Sequence, residues 1–239
     1  SRAEEKVPVL GDIPVLGALF RKRTNMVRTL IQGRDNLQVT LGDIMLETAN
    51  TSFQVHLQVS ADQFARFYNV AQVVAGPLVA VAANSLLLLQ HRLWHETRIP
   101  AFEQTLDIRT VPNRIRDTWQ RVSFGDGWVQ HGVLELFQDQ VARHRATLLR
   151  DTGELSTALL DRGEIPCLQA LCLHNGSVYR WNRPCYGVLD GKPHLRIEHR
   201  PLPAGPTIAD VVANAALFYG LMLGLEAQGA RLKRNLGDL

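Results

Sequence analysis

The chain has 239 residues, 46% hydrophobic and 21% charged, with a formal net charge of +3 at pH 7. This is ordinary globular composition, enough for one substantial core and a small appendage. The basic residues are spread along the chain apart from Arg21-Lys22-Arg23, so no stripe or patch points to a nucleic-acid partner; a mildly positive surface still suits a small anion such as a nucleotide.

The three cysteines, Cys167, Cys172 and Cys185, are odd in number and form no C-x-x-C pair. Neither a disulfide scaffold nor a conventional zinc module is indicated, and reduced thiols in a cytoplasmic protein are expected. The first six residues are charged and lack the apolar run of a signal peptide, which agrees with that location. The apolar stretch 70–89 is interrupted by Gln72, Gly76-Pro77 and Asn84-Ser85, so a buried core helix is expected there and not a membrane span.

In chain order, residues 7–21 are apolar and punctuated by Pro and Gly, which predicts short extended pieces and turns. This stretch resembles the V-P-x-L-G-D-I-P-x-L-G-x-L-F segment of secretins. A secretin-like segment and a junction between unrelated sequences both account for residues 1–23. Residues 37–39 read as a short strand, and 43–46 open another ordered segment. From Thr51 to Ser60 the alternation is strict: Phe53, Val55, Leu57 and Val59 point one way, and Ser52, Gln54, His56 and Gln58 the other. The polar face of this strand carries no Lys or Glu, which suits the lining of a site better than open water.

Ser60-Ala-Asp-Gln63 reads as a capping box for a helix running toward Val74, disturbed at Gly76-Pro77, with a second apolar helix to about Asn84. Further helices are predicted over 92–107, 127–150 and 155–162. Two strands, 177–183 and 194–200, each precede a proline and flank Asp190-Gly191, so they are expected to pair as a hairpin with a long loop. Thr207, with Asp210 three residues on, caps a final helix to about Gln228, with Gly229 as its stop.

In the strand 194–200, Arg196, Glu198 and Arg200 share one face, and Leu195, Ile197 and His199 the other. Two readings of the Arg-Glu-Arg row stand side by side. One is an exposed, self-compensating strand worth little energetically. The other is a metal-binding carboxylate flanked by guanidinium forks for phosphate or carboxylate oxygens. Arg180 and Arg183 on the hairpin partner, with His174, Asn175 and Trp181, add cationic and polar groups; Trp181 is more often core than a ligand platform.

Five blocks carry a family resemblance: Asn50-Thr-Ser-Phe-Gln-Val-His-Leu-Gln-Val, Arg92-Leu-Trp-His-Glu-Thr-Arg-Ile, Val122-Ser-Phe-Gly-Asp-Gly-Trp, His174-Asn-Gly-Ser-Val-Tyr-Arg-Trp-Asn-Arg-Pro, and Leu195-Arg-Ile-Glu-His-Arg-Pro-Leu-Pro-Ala-Gly-Pro-Thr. In this order they resemble the glutamate–cysteine ligase type 2 family, and within it a bacterial carboxylate–amine ligase-like subgroup, over roughly residues 36–228.

The resemblance implies an α+β fold of the glutamine synthetase kind, a curved antiparallel sheet with helices on one face, in a domain spanning residues 24–239. It also implies ATP- and Mg2+-dependent amide formation from a carboxylate and an amine through an acyl phosphate. Carried over by position, Glu198 is the metal ligand, and Arg196, Arg200 and Arg98 are the catalytic cations. His56, Gln54, Arg92, Arg180 and Arg183 are the substrate- and nucleotide-binding set; Gln54 stands where many relatives have His. His199 replaces an expected Asn and should point away from the site. The family's glutamate-rich first strand has no counterpart here, residues 1–23 occupying that end, so a sheet lacking its first strands and an incomplete metal shell are expected. Beside the ligase stand two other readings, a non-catalytic nucleotide- or amino-acid-binding module that retains the fold and, from residues 7–21 alone, an outer-membrane secretion component. Whether the protein is a homo-oligomer stays open.

Overall fold

The alternation read in residues 51–60 becomes the edge of the sheet on which the molecule is organised. The computed structural model describes residues 27–41, 46, 50–107, 109, 112, 119–147 and 153–236, so the secretin-like stretch and all but Leu46 of the segment 43–46 lie outside the described residues. Strands β1 (Val27–Gln32) and β2 (Asn36–Leu41) form an antiparallel hairpin, which enlarges the short strand expected at 37–39. Strand β3 (Val55–Val59) pairs with β9 (Lys192–His199), and β9 pairs with β8 (Asn182–Leu189), giving a three-stranded antiparallel sheet in the order β3-β9-β8. Two short strand pairings complete the set: β4 (Leu87–Leu88) with β5 (His91–Arg92), and β6 (Val122–Ser123) with β7 (Tyr179–Arg180), the latter parallel, beside the isolated bridges at Ser52 and Ser85.

Helix α1 (Phe64–Ala82) buries Phe64, Phe67, Tyr68, Ala71, Val74, Ala75, Leu78 and Ala82, the i, i+3, i+4 stripe of an amphipathic helix. It differs from the two helices predicted, because it runs unbroken through Gly76-Pro77. A helical proline leaves the carbonyl four residues earlier without a donor. Here that residue is Val73, 53% exposed, and Gly76 and Pro77 are also exposed, so water can satisfy the freed group. The Ser60–Gln63 segment forms a turn before the helix and not its cap, with Ser60 Oγ donating to Gln63 Oε1 at 2.9 Å.

The helix predicted over 92–107 shortens to α2 (Arg98–Thr105), because His91 and Arg92 are taken up by β5. The later helices are α3 (Val133–Arg143), α4 (Ser156–Asp161), α5 (Gln169–Gly176) and α6 (Ile208–Leu236). Thr207 and Asp210 form the expected reciprocal cap of α6, with Asp210 N donating to Thr207 Oγ1 at 3.2 Å and Thr207 N to Asp210 Oδ2 at 3.0 Å. The helix overruns Gly229.

The main core lies between one face of the sheet and helices α1 and α6. Val55, Val59 and Ile197 meet Phe64, Tyr68, Phe218 and Met222 there. Both α1 and the stretch Ile208–Gly229 of α6 are long and apolar enough to cross a membrane by length and composition. The stripe of α1 serves the core, whereas Ile208, Val212 and Leu223 of α6 are well exposed. A second cluster joins Ile31, Leu37, Leu93 and Ala101, and pins the β1–β2 hairpin to α2.

Candidate active site

The hairpin register decides the site. Asp190 and Gly191, both at positive φ (49° and 70°), make a two-residue turn between β8 and β9 and not the long loop expected. Counting outward from that turn sets Arg183 opposite Glu198, and Cys185 opposite Arg196. On the other side of β9, His56 faces Glu198 and Gln58 faces Arg196. Facing residues in an antiparallel sheet share a side. One face therefore carries His56, Gln58, Arg183, Cys185, Arg196 and Glu198; the opposite face, with Val55, Leu57, Ile197 and His199, turns to the core.

Pro184 sits in the middle of β8 without cost to the ladder. Its carbonyl accepts from Asn175 Nδ2 at 2.8 Å, so its backbone faces the outer edge, where a missing N–H breaks no strand pairing. On the opposite edge, Tyr219 Oη of α6 donates to the carbonyl of His56 at 2.9 Å and fixes β3 beneath its imidazole. His199 points into the core as expected: its ring stacks on Phe218 at 4.5 Å, and Nδ1 lies 2.7 Å from Asn182 Oδ1.

Glu198 is 1% exposed. Arg183 donates to its Oε2 from Nε at 2.8 Å and from Nη2 at 2.7 Å, and Arg200 Nε stands 3.5 Å from Oε1. The Cys185 thiol points at Oε2 from 3.3 Å. Burial pushes the Glu198 carboxyl upward, but the charges of Arg183 and Arg200 and the Arg183 hydrogen bond outweigh it and hold the group below the usual range. Burial, helped by Arg183, brings Arg200 down to about 10. Burial pushes Cys185 up to about 11, with Glu198 adding to the effect, so the thiol stays protonated. The His56 imidazole is lowered, first by burial and then by Arg196, Arg183 and Arg200 against the opposing pull of Glu198, and stays neutral at pH 7. Two guanidinium groups thus share one carboxylate, with Arg196 on the same face. The Nε atoms of Arg196 and Arg200 are buried without a hydrogen-bond acceptor among the described residues. Buried donors of this kind are ready for an anion.

The other candidate residues stand elsewhere. Gln54 is exposed, one residue before the start of β3, on the same alternating side as His56. Arg98 is 5% exposed; it pairs with the equally buried Glu96 at 3.1 Å, donates to the carbonyl of Pro201, and lies 5.2 Å from the Trp181 ring. It also lines a polar cavity of about 280 Å³ with Asn50, Thr51, Asn84, Ser85 and Thr97. Arg92 is exposed and bound to Asp35 at the tip of the β1–β2 hairpin. Arg180 lies on β7 and not on the strand facing β9; it is buried and paired with Asp139 of α3. Trp181 belongs to a core cluster with Leu106, Val122 and Tyr179. Cys185 and Gln58 were missed as site residues, although the Asp190-Gly191 turn and the parity of β8 and β3 point to both.

This donor set can be tested against a divalent cation. Glu198 is the one carboxylate on this face among the described residues, with His56 beside it. That is no closed oxygen cage. It does fit Mg2+ delivered with nucleotide phosphates, since that ion keeps several waters and needs only one or two protein carboxylates.

The described residues thus form a mixed α and β protein with a buried carboxylate under an excess of arginines on one face of its three-stranded sheet. Residues 26–231 match glutamate-cysteine ligase family 2 (GCS2), and the chain belongs to that family. Membership points to carboxylate–amine ligase-type chemistry. No curated protein and no solved structure matches the chain.

Proposed function

We propose that the protein is an ATP- and Mg2+-dependent carboxylate–amine ligase, built on a glutamine synthetase-like sheet and acting through an acyl phosphate. The observation that carries the reading is Glu198, 1% exposed and met by Arg183 and Arg200 beside Arg196, in a chain of the glutamate–cysteine ligase family. In the first step a substrate carboxylate oxygen attacks the γ-phosphorus and ADP leaves. In the second an amine attacks the acyl carbon, inorganic phosphate leaves, and the amine gives up a proton.

Both steps gather negative charge on oxygens, which preorganised cations stabilise most in a water-poor site. Arg196 and Arg200, whose buried Nε atoms make no hydrogen bond among the described residues, supply those donors. Arg183 keeps Glu198 ionised and oriented. Magnesium, when bound through Glu198, neutralises the nucleotide phosphates. Neutral His56 contacts phosphate or metal from β3, and Gln54 lies next to it on the approach. Arg98, Arg180 and Arg92, already matched by Glu96, Asp139 and Asp35, hold the surrounding walls. The protein works in the cytoplasm on small-molecule carboxylate and amine substrates.

The test is ADP release from Mg·ATP with and without a carboxylate and an amine. Release that requires both, and is abolished in Glu198→Gln, is the expected result; release unchanged in that variant contradicts the assignment. A second reading, a binding module without turnover, is favoured by the single carboxylate on this face among the described residues. It predicts nucleotide binding with no ADP release under any substrate pair.

A further inference from the structure

Magnesium explains Glu198 but leaves its neighbours without a role. One donor atom each of His56, Cys185 and Glu198 lies within 4.8 Å of the other two. These are a nitrogen, a sulfur and an oxygen, brought together from β3, β8 and β9 by the strand register. Magnesium takes hard oxygen ligands and does not recruit a thiol. Zinc binds this mixture, at about 2.0–2.1 Å to nitrogen, about 2.3 Å to sulfur and about 2.0–2.2 Å to oxygen. Tetrahedral placement at those lengths puts the ligand atoms roughly 3.4–3.6 Å from one another. The Cys185 sulfur already stands 3.3 Å from Glu198 Oε2, so small side-chain adjustments close the remaining gap to His56.

We propose that His56, Cys185 and Glu198 form a binding site for zinc or a similar borderline-soft dication, with three protein ligands and an open fourth position. Glu198 Oε2, the oxygen nearest the Cys185 sulfur, also accepts from Arg183, the kind of outer partner that ligating carboxylates usually have. His56 offers a ring nitrogen, and the Cys185 proton leaves to solvent as the sulfur binds. The three arginines oppose a bare cation, but they favour an anion or hydroxide on the open position. Because Glu198 serves both ions, zinc and Mg·nucleotide exclude each other there. This last point rests on the ligase reading; the metal site itself does not.

The test uses Co2+ as a spectroscopic stand-in on the reduced full chain under anaerobic conditions. One equivalent should give the visible bands of a tetrahedral ion and a near-ultraviolet thiolate-to-metal band. Cys185→Ser should abolish the charge-transfer band. His56→Asn, at an exposed position, should weaken binding by more than about tenfold, which is what loss of even an outer partner costs. Cys167→Ser and Cys172→Ser, at the two exposed thiols, should leave the band intact. A band that survives Cys185→Ser, or vanishes with Cys167 or Cys172, overturns the proposal, as does a folded wild type that binds no Co2+. Displacement of Co2+ by Mg·ATP supports the shared carboxylate. Retained Co2+ binding without displacement supports the metal site and counts against the nucleotide reading alone.

Discussion

Arg183 and Glu198 face each other across the β8–β9 ladder, and both Nε and Nη2 of the arginine close on a single oxygen of the carboxylate, at 2.8 and 2.7 Å. The second oxygen is left to Arg200, 3.5 Å away. A carboxylate this deeply buried exists as an anion only because these two cations surround it.

Replacing Arg183 by Met therefore removes the main partner of a buried charge. Such a loss costs about 3–5 kcal/mol, and the lower end is expected because Arg200 remains. The double variant Arg183→Met/Glu198→Gln should recover part of the loss. Urea unfolding of both variants reads the difference, and equal stability of the single and double variants contradicts the pairing.

The Arg98–Glu96 pair, at 5% and 6% side-chain exposure, makes the same kind of demand in a different place. It ties the start of α2 to the carbonyl of Pro201. Arg98→Met should lower stability by about 3–5 kcal/mol. Mg·ATP should still shift the melting temperature of the variant, because the Glu198 face does not include Arg98. Loss of that shift in a cooperatively folding variant would instead put Arg98 at the nucleotide.

Gly33 lies in the β1–β2 turn against the backbone of Leu93. A Cβ at this position would come within 2.6–2.9 Å of Leu93 main-chain atoms, which cannot rotate away. Gly33→Ala should cost about 1–3 kcal/mol, the usual range for overpacking. It should loosen the β1–β2 hairpin selectively, raising amide exchange there before the β8–β9 ladder is affected.

His144, at the end of α3, is brought down to about 4, first by burial and then by Arg121, Arg180, His174 and Arg143. Its folded value lies below the ordinary 6.5, so the unfolded chain binds more protons as pH falls. Stability from this residue is full above about pH 6.5 and is lost progressively toward pH 4. His144→Leu should flatten that acid limb in melts taken across the interval; an unchanged slope would assign it to other groups.

Much of this was legible in the residues. Strict alternation in 51–60 gave β3 and its polar face, and the row Arg196, Glu198, Arg200 gave the centre of the site. His199 was readable as core by parity alone, and Phe218 receives it. The first strand of the hairpin is read several residues too early, because Pro184 reads as a strand end; it is tolerated on the outer edge of β8, which no local pattern reveals, whereas the second strand falls close to its expected place. That shift put Arg180 beside Glu198, and concealed that Cys185 stands there. Gly76-Pro77 likewise reads as a break, and survives inside α1 because the freed carbonyl faces solvent. The company kept by Arg92 and Arg98 was not legible. Asp35 is far from Arg92 in sequence, and nothing in the spacing of Glu96 and Arg98 shows that the two are buried together.

The central claim is that the Glu198 face binds Mg·nucleotide, and thermal unfolding with and without Mg·ATP tests it most directly. A ligand at about a hundred times its dissociation constant adds about 2.7 kcal/mol to stability, enough for a clear shift. A magnesium-dependent rise in melting temperature is expected for the wild type, lost in Glu198→Gln and reduced in Arg196→Gln. A cooperatively folding wild type with no shift, or a shift that persists in Glu198→Gln, contradicts it.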